Sequence, residues 1–227
     1  MIPYRDERAP RYLAAGVWAI VAANVYFFYR ELTAPSPARA INAFALVPYD
    51  LTHHVQLPPP SPHPYVLTLL TSTFLHGGIA HIFFNMLFLV VFGPRVERFQ
   101  GWAAFIGFYL LCGIAGGLVQ TLVAPNSRVP EIGASGAIAG VMGAYLITFP
   151  RSTIDTITPI GCFPLFLRLP ALVVIGVWAA LQFFLGFDTF DPRVNQGGVA
   201  YFAHIGGFSC GLAVQGLALA FARRERQ

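Results

Sequence analysis

The chain has 227 residues, 56% of them hydrophobic and only 11% charged, with 14 basic against 10 acidic side chains and a formal net charge of +4. A soluble domain of this length carries about a quarter charged residues, so this composition cannot cover an ordinary water-facing surface and points to the bilayer as solvent. The small positive surplus, all of it Arg and scattered, gives no sign of a nucleic-acid partner.

In chain order, residues 1–11 read as a cytoplasmic N-terminal tail. Six uncharged runs then follow as candidates for crossing roughly 30 Å of hydrocarbon: Tyr12–Tyr29, Ile79–Phe92, Trp102–Ala124, Ser135–Phe149, Pro170–Phe187 and Val199–Ala222. None contains Asp, Glu or Arg. The first is too long and too poor in small cleavage-site residues for a removable signal peptide, and is read as structure. Together the runs predict an all-α membrane protein, a six-helix bundle over residues 12–222, with a short cytoplasmic tail at 223–227. A long first loop, about residues 30–78, holds an apolar piece, Ala40–Leu51, interrupted by Pro48 and Asp50 and expected to form an interfacial helix or re-entrant loop. Pro58, Pro59, Pro60, Pro62 and Pro64 make its second half a stiff strap. The three cysteines, Cys112, Cys162 and Cys210, are odd in number, and two lie in apolar runs, which argues against a disulfide framework or a thiolate metal site.

Arginine placement sets the expected orientation, because cytoplasmic loops retain Arg. With the N-terminus inside, Arg5, Arg8, Arg11, Arg95, Arg98, Arg151, Arg168, Arg223, Arg224 and Arg226 collect on that side, and Arg30, Arg39, Arg128 and Arg193 on the other. Both termini are then cytoplasmic, and the second, fourth and sixth runs start at the opposite face. Gly133, Gly136, Gly140 and Gly143 form one stripe of the fourth run, and Gly207 and Gly211 one of the sixth, as close helix packing requires. Gly113 and Gly117 repeat the spacing on the third, so small-residue contact is general here.

With no acid or Arg inside the runs, the remaining polar side chains are informative, since each needs a partner or a wet cavity at depth. His76, His81, Asn85, Ser135 and His204 stand out. His81 and Asn85 are four apart and share a helix face; Ser135 opens the fourth run, and His204 lies early in the sixth. A serine hydroxyl beside a neutral imidazole attacks carbonyl groups, and a helix N-terminus with His and Asn donors favours the resulting oxyanion. The arrangement would be a Ser-His dyad without carboxylate. Taken singly, the same residues have bland readings: a helix N-cap for Ser135, interhelical glue for Asn85, a carbonyl partner for each buried His. A His76, His81 and His204 metal site is disfavoured by the five-residue spacing and the absence of a nearby acid. The arrival of Ser, two His and Asn at one depth on three helices favours the catalytic reading. His53, His54 and His63 fall in the polar loop and receive no function.

Three segments in order carry a resemblance: His76-Gly77-Gly78-Ile79-Ala80-His81-Ile82-Phe83-Phe84-Asn85-Met86, then Gly133-Ala134-Ser135-Gly136, then Ala203-His204-Ile205-Gly206-Gly207 with Gly211. Together they resemble the signature of the rhomboid intramembrane serine proteases, across residues 12 to 222. The resemblance implies Ser135 as nucleophile and His204 as general base, with His81, Asn85 and the Ser135 backbone N–H binding the oxyanion. It makes Gly133 the residue that shapes the active-site turn and His76 a support of the first loop, with Gly136 and Gly207 structural neighbours of the site. It further implies single-span membrane proteins as substrates, membrane lipids as surroundings, no metal or cofactor, and a multi-pass protein of a bacterial plasma membrane. Substrate would arrive laterally past the fifth helix and its following loop, here Phe183, Phe184, Phe187 and Phe190 with Asp188–Gly198.

Two departures from the family pattern stand out. The first loop lacks the Trp-Arg pair common in rhomboids, and Ala139 replaces the aromatic ring expected four residues after the serine as a stacking partner for the histidine. Ala139 is the feature favouring an alternative, a rhomboid-like protein that binds transmembrane helices without cutting them. A solute transporter with a helix broken at Gly133–Gly136 would carry internal repeats, and none is visible.

Overall fold

The computed structural model describes residues 1–10, 12–62, 64–160, 163–188 and 199–224. Arg11, His63, Cys162, Phe190, Arg193 and Arg226, named above, and most of the loop at 188–198 therefore lie outside the described residues.

Each of the six apolar runs is a helix: α1 (Ala15–Leu32), α5 (Ile79–Gln100), α6 (Trp102–Val123), α7 (Ser135–Thr148), α8 (Ala171–Asp188) and α9 (Tyr201–Arg224). Among the described residues, three stretches are long and apolar enough to cross a membrane: α5, α6 and Tyr201–Ala222 of α9. The first loop folds into α2 (Pro37–Phe44), α3 (Pro48–His53) and the single turn α4 (Thr68–Thr71), which lies between two 3-10 turns.

Several helices run past the apolar stretches that announced them, and in doing so they take in buried acids. Glu97 of α5 is buried, and its Oε2 accepts the Val17 backbone N–H at 2.7 Å. Ala14, the N-cap of α1, has no side chain able to cap that helix, so a carboxylate from a neighbour does so, where the helix dipole favours it. Glu31, at the end of α1, is buried and accepts the His76 backbone N–H at 3.3 Å. The expectation of acid-free membrane helices thus holds for the apolar runs but not for the helices themselves.

The all-α expectation needs a second correction. Ile2–Asp6 (β1), Thr153–Ile160 (β2) and Phe163–Pro170 (β3) form an antiparallel sheet of order β1-β2-β3. Thr153-Ile154-Asp155-Thr156-Ile157-Thr158 is β-branched at every position but Asp155, as strands favour; a search for long uncharged runs passes over so short a segment with an acid inside it. The segment read as an N-terminal tail is thereby paired, with Arg5 and Arg168 both 3.3 Å from Asp155.

α7 is the centre of the bundle, buried at every position from Gly136 to Tyr145. It ends at Phe149, whose helical conformation Pro150 disfavours. Its 14 residues span about 21 Å, shorter than the hydrocarbon. Against α9 it packs backbone to backbone: a Cβ on Gly207 would strike the Gly136 carbonyl, and one on Gly211 the Gly140 carbonyl. Cys112 and Cys210 are free thiols.

Candidate active site

The first loop places the segment that precedes Ser135. Leu46 and Glu131 exchange backbone hydrogen bonds of 3.0 and 2.7 Å, and the Gly133 N–H donates to the Ser72 carbonyl at 2.9 Å. Gly133 then turns the chain with φ +130, a conformation open to glycine. A Cβ there would also lie 2.8 Å from His81 Nε2. The turn delivers Ser135 to the first position of α7, with Ala134 as N-cap. Ser135 is therefore not a capping residue, and the first-turn N–H groups of α7 have no side-chain cap.

The Ser135 hydroxyl lies 2.7 Å from His204 Nε2. On the other side of the ring, His204 Nδ1 is 2.6 Å from Gln182 Oε1 of α8. An amide oxygen only accepts, so this pairing places the proton on Nδ1 and leaves Nε2 with the lone pair that a serine hydroxyl requires. The tautomer follows from the partners. The His204 ring faces Trp178, with centroids 5.9 Å apart and planes inclined by 38°.

His81 has the opposite tautomer. Its Nδ1 accepts the Gly77 N–H at 3.3 Å, so Nε2 carries the proton, and that edge of the ring is the one beside Gly133. Asn85, one turn further along α5, is buried, and its Nδ2 has no hydrogen-bond partner. A buried donor without a partner is costly, which marks Asn85 as a group awaiting an acceptor and argues against simple interhelical glue. His81, Asn85, Ser135 and His204 all line one cleft of about 980 Å³, with Gln120, Glu131, Met142 and Trp178 among its other walls.

His76 is buried behind this group, edge to face with His81 at 5.1 Å and with Phe28 at 6.3 Å. Burial, with His81 beside it, lowers its pKa to about 4, so it is neutral near pH 7. Gly136 and Gly207 bring α7 against α9, where a Cβ on Gly136 would lie 3.3 Å from the Ala203 carbonyl. Gln120 Oε1 accepts the Ala203 N–H at 3.1 Å, fixing the start of α9 from α6. Burial raises the Glu131 carboxyl to about 7, opposed by a hydrogen bond with Gln120.

All four residues expected at the reaction centre are thus brought together. Trp178 and Gln182 are new to the site. Ala139 is fully buried in α7, and the ring that faces His204 is Trp178 of α8. The sequence signal for Gln182 was a single amide inside an otherwise apolar run, which on its own reads as interhelical glue.

A family model described as a rhomboid domain matches residues 63–221. Among curated proteins, rhomboid protease GluP of Bacillus subtilis is 46% identical over 78 residues, 34% of this chain and 15% of that protein. The putative rhomboid protease YdcA of the same organism is 40% identical over 78 residues, 34% of this chain and 39% of its own length. RHOMBOID-like protein 5 of Arabidopsis thaliana is 32% identical over 143 residues, 63% of this chain and 41% of that one. The matched regions cover less than half the length of each of these relatives.

Proposed function

The chain belongs to the rhomboid family, and on that footing we propose that it is an integral membrane serine endopeptidase that cuts transmembrane segments of single-span proteins through a Ser135–His204 pair. The observation that carries this reading is the 2.7 Å contact between Ser135 Oγ and His204 Nε2 inside a cleft that also holds unused N–H donors.

Ser135 Oγ attacks the scissile carbonyl carbon as its proton passes to His204 Nε2. The tetrahedral oxyanion is met by the His81 Nε2–H, the Asn85 amide and the Ser135 backbone N–H, donors fixed before the charge develops. Collapse breaks the C–N bond, and the imidazolium returns its proton to the departing amine, leaving an acyl-enzyme on Ser135. A water molecule then attacks the ester carbonyl, giving its proton to His204 Nε2. The second tetrahedral intermediate expels Ser135 Oγ, which recovers that proton, and the carboxylic acid product departs. The polar walls of the cleft, Gln120, Ser127 and Glu131, give that water a route into an otherwise apolar bundle.

In this reading all six long helices span the membrane with both termini cytoplasmic, lipid surrounds the bundle, and no metal or cofactor takes part. The presence of Trp178 against the His204 ring weakens the case that Ala139 made for a non-cleaving binder. A bacterial plasma membrane is the location favoured, since the Bacillus subtilis relatives have the higher identities, 46% and 40%.

The test is cleavage of a reporter transmembrane substrate in proteoliposomes by wild type, Ser135→Ala and His204→Ala. Wild type is expected to cut, and both variants to lose at least about 10³-fold in rate. Cleavage retained by Ser135→Ala contradicts the mechanism; a substrate that co-purifies uncut with wild type supports the binding alternative.

A further inference from the structure

His204 has partners on two sides. Ser135 of α7 meets Nε2, and α8 supplies two more contacts, Gln182 at Nδ1 and Trp178 against the ring. Trp178 and Gln182 are four residues apart and so lie on one face of α8. We infer that Gln182 is the positioning residue of the general base and that Trp178 backs its ring, so that α8 sets both the tautomer and the direction of the catalytic imidazole. The inference rests on the serine-protease reading.

A base that is to take the Ser135 proton must keep Nε2 unprotonated, and only an acceptor at Nδ1 holds the neutral ring in that form. Gln182 Oε1 is such an acceptor at 2.6 Å. A carboxylate would do the same while also stabilising the imidazolium, but within an apolar helix it would carry the cost of burying a charge. An amide orients the ring at much lower desolvation cost. Trp178 completes the hold: it also contacts Phe208 of α9 at 6.1 Å, which ties the indole to the helix that carries His204. The titratable groups lining the same cleft are His81 of α5, Glu131 before α7 and Tyr201 of α9, and α8 contributes none. Among the described residues, a carboxylate introduced at position 182 would therefore be the only one in contact with Nδ1.

The experiment compares full-length wild type, Gln182→Leu, Gln182→Glu and Trp178→Ala in proteoliposomes, and records the ¹⁵N resonances of His204 in the wild-type protein. The wild-type spectrum is expected to show Nδ1 protonated and Nε2 bare; the reverse tautomer overturns the inference without reference to activity. Gln182→Leu should lower kcat roughly 10- to 100-fold with KM changed less than about twofold, a smaller loss than the ~10⁴ seen when a triad carboxylate becomes an amide. Gln182→Glu should remain active and shift the acid limb of kcat/KM upward by about one pH unit, because an anion beside the ring favours its protonated form. Trp178→Ala should lower kcat with the acid limb unmoved. A Gln182→Leu enzyme with wild-type kcat, or a Gln182→Glu enzyme with an unmoved acid limb, overturns the inference. Wild type that neither cleaves nor labels with a fluorophosphonate overturns instead the reading beneath it, and the ¹⁵N spectrum still decides whether Gln182 holds Nδ1.

Discussion

Asn85 is buried with an unpartnered amide nitrogen, and His81 presents a protonated Nε2 beside Gly133. Among the described residues neither has a hydrogen-bond partner on the cleft side, so in the proposed mechanism each would stabilise charge that exists only during reaction. Asn85→Ala is expected to lower kcat about 10²- to 10³-fold with little change in KM, measured by steady-state cleavage. Glu131 behaves differently, because its effect is on stability. Burial raises its pKa from 4.5 to about 7, so the folded state holds a proton that the unfolded chain releases at lower pH. Folding is then most favoured at low pH by this group and loses stability as pH rises from about 4.5 to 7, by up to roughly 3 kcal/mol. Glu131→Gln should flatten the thermal midpoint over that range; an unchanged slope contradicts this account of Glu131. At this scale the sequence was legible wherever a polar residue stood in an apolar run, hence Ser135, His204, His81 and Asn85. Gln182 obeyed the same rule and was still passed over, because its role appears only once α8 is seen packed beside α9.

The two central helices owe their precise spacing to glycine. Between α7 and α9, Gly136, Gly140, Gly207 and Gly211 let the backbones nearly touch, which sets the separation of Ser135 and His204. Gly211→Val places side-chain atoms against the Gly140 backbone, which has no rotamer with which to yield. A loss of about 1 to 3 kcal/mol or more is expected, together with loss of activity, and is read from thermal unfolding in detergent alongside cleavage; wild-type values for both contradict it. Helix positions were legible from apolar length, but helix ends were not. Arg30 and Arg95 are the first charges past the apolar runs of α1 and α5, whereas in the fold both helices continue beyond them and the buried Glu31 and Glu97 each find a backbone N–H. The sheet escaped because its strands are short and carry charge, Arg5, Asp6, Asp155 and Arg168, and because β1 lies some 150 residues from its partner β2.

On the scale of the molecule, chemistry and scaffold occupy opposite ends of the bundle. His81 and Ser135 stand at the starts of α5 and α7, while Arg95 and Tyr145, near the other ends, meet each other at 3.3 Å. Tyr145 donates to Asp6 of β1 at 2.6 Å, Arg95 pairs with Asp6 at 3.6 Å, and Arg95 also bonds Ser152. Asp6→Ala leaves the partly buried Arg95 without its buried counter-charge and should cost up to about 3 kcal/mol. The rate of cleavage below the melting transition should be unchanged, since Ser135 lies about 15 Å along α7 from Tyr145; a fall in that rate contradicts the separation of the two ends. The low charge content that first pointed to lipid also limits the proposed catalytic apparatus: Ser, His, Asn, Gln and backbone meet at its centre, and among the described residues lining the cleft Glu131 alone carries a carboxyl. The most direct test of that apparatus is mass spectrometry of the protein after a serine-directed fluorophosphonate, locating the adduct in wild type, Ser135→Ala and His204→Ala. The adduct is expected on Ser135 in wild type and in neither variant; an adduct on another residue, or labelling that survives in Ser135→Ala, contradicts the assignment.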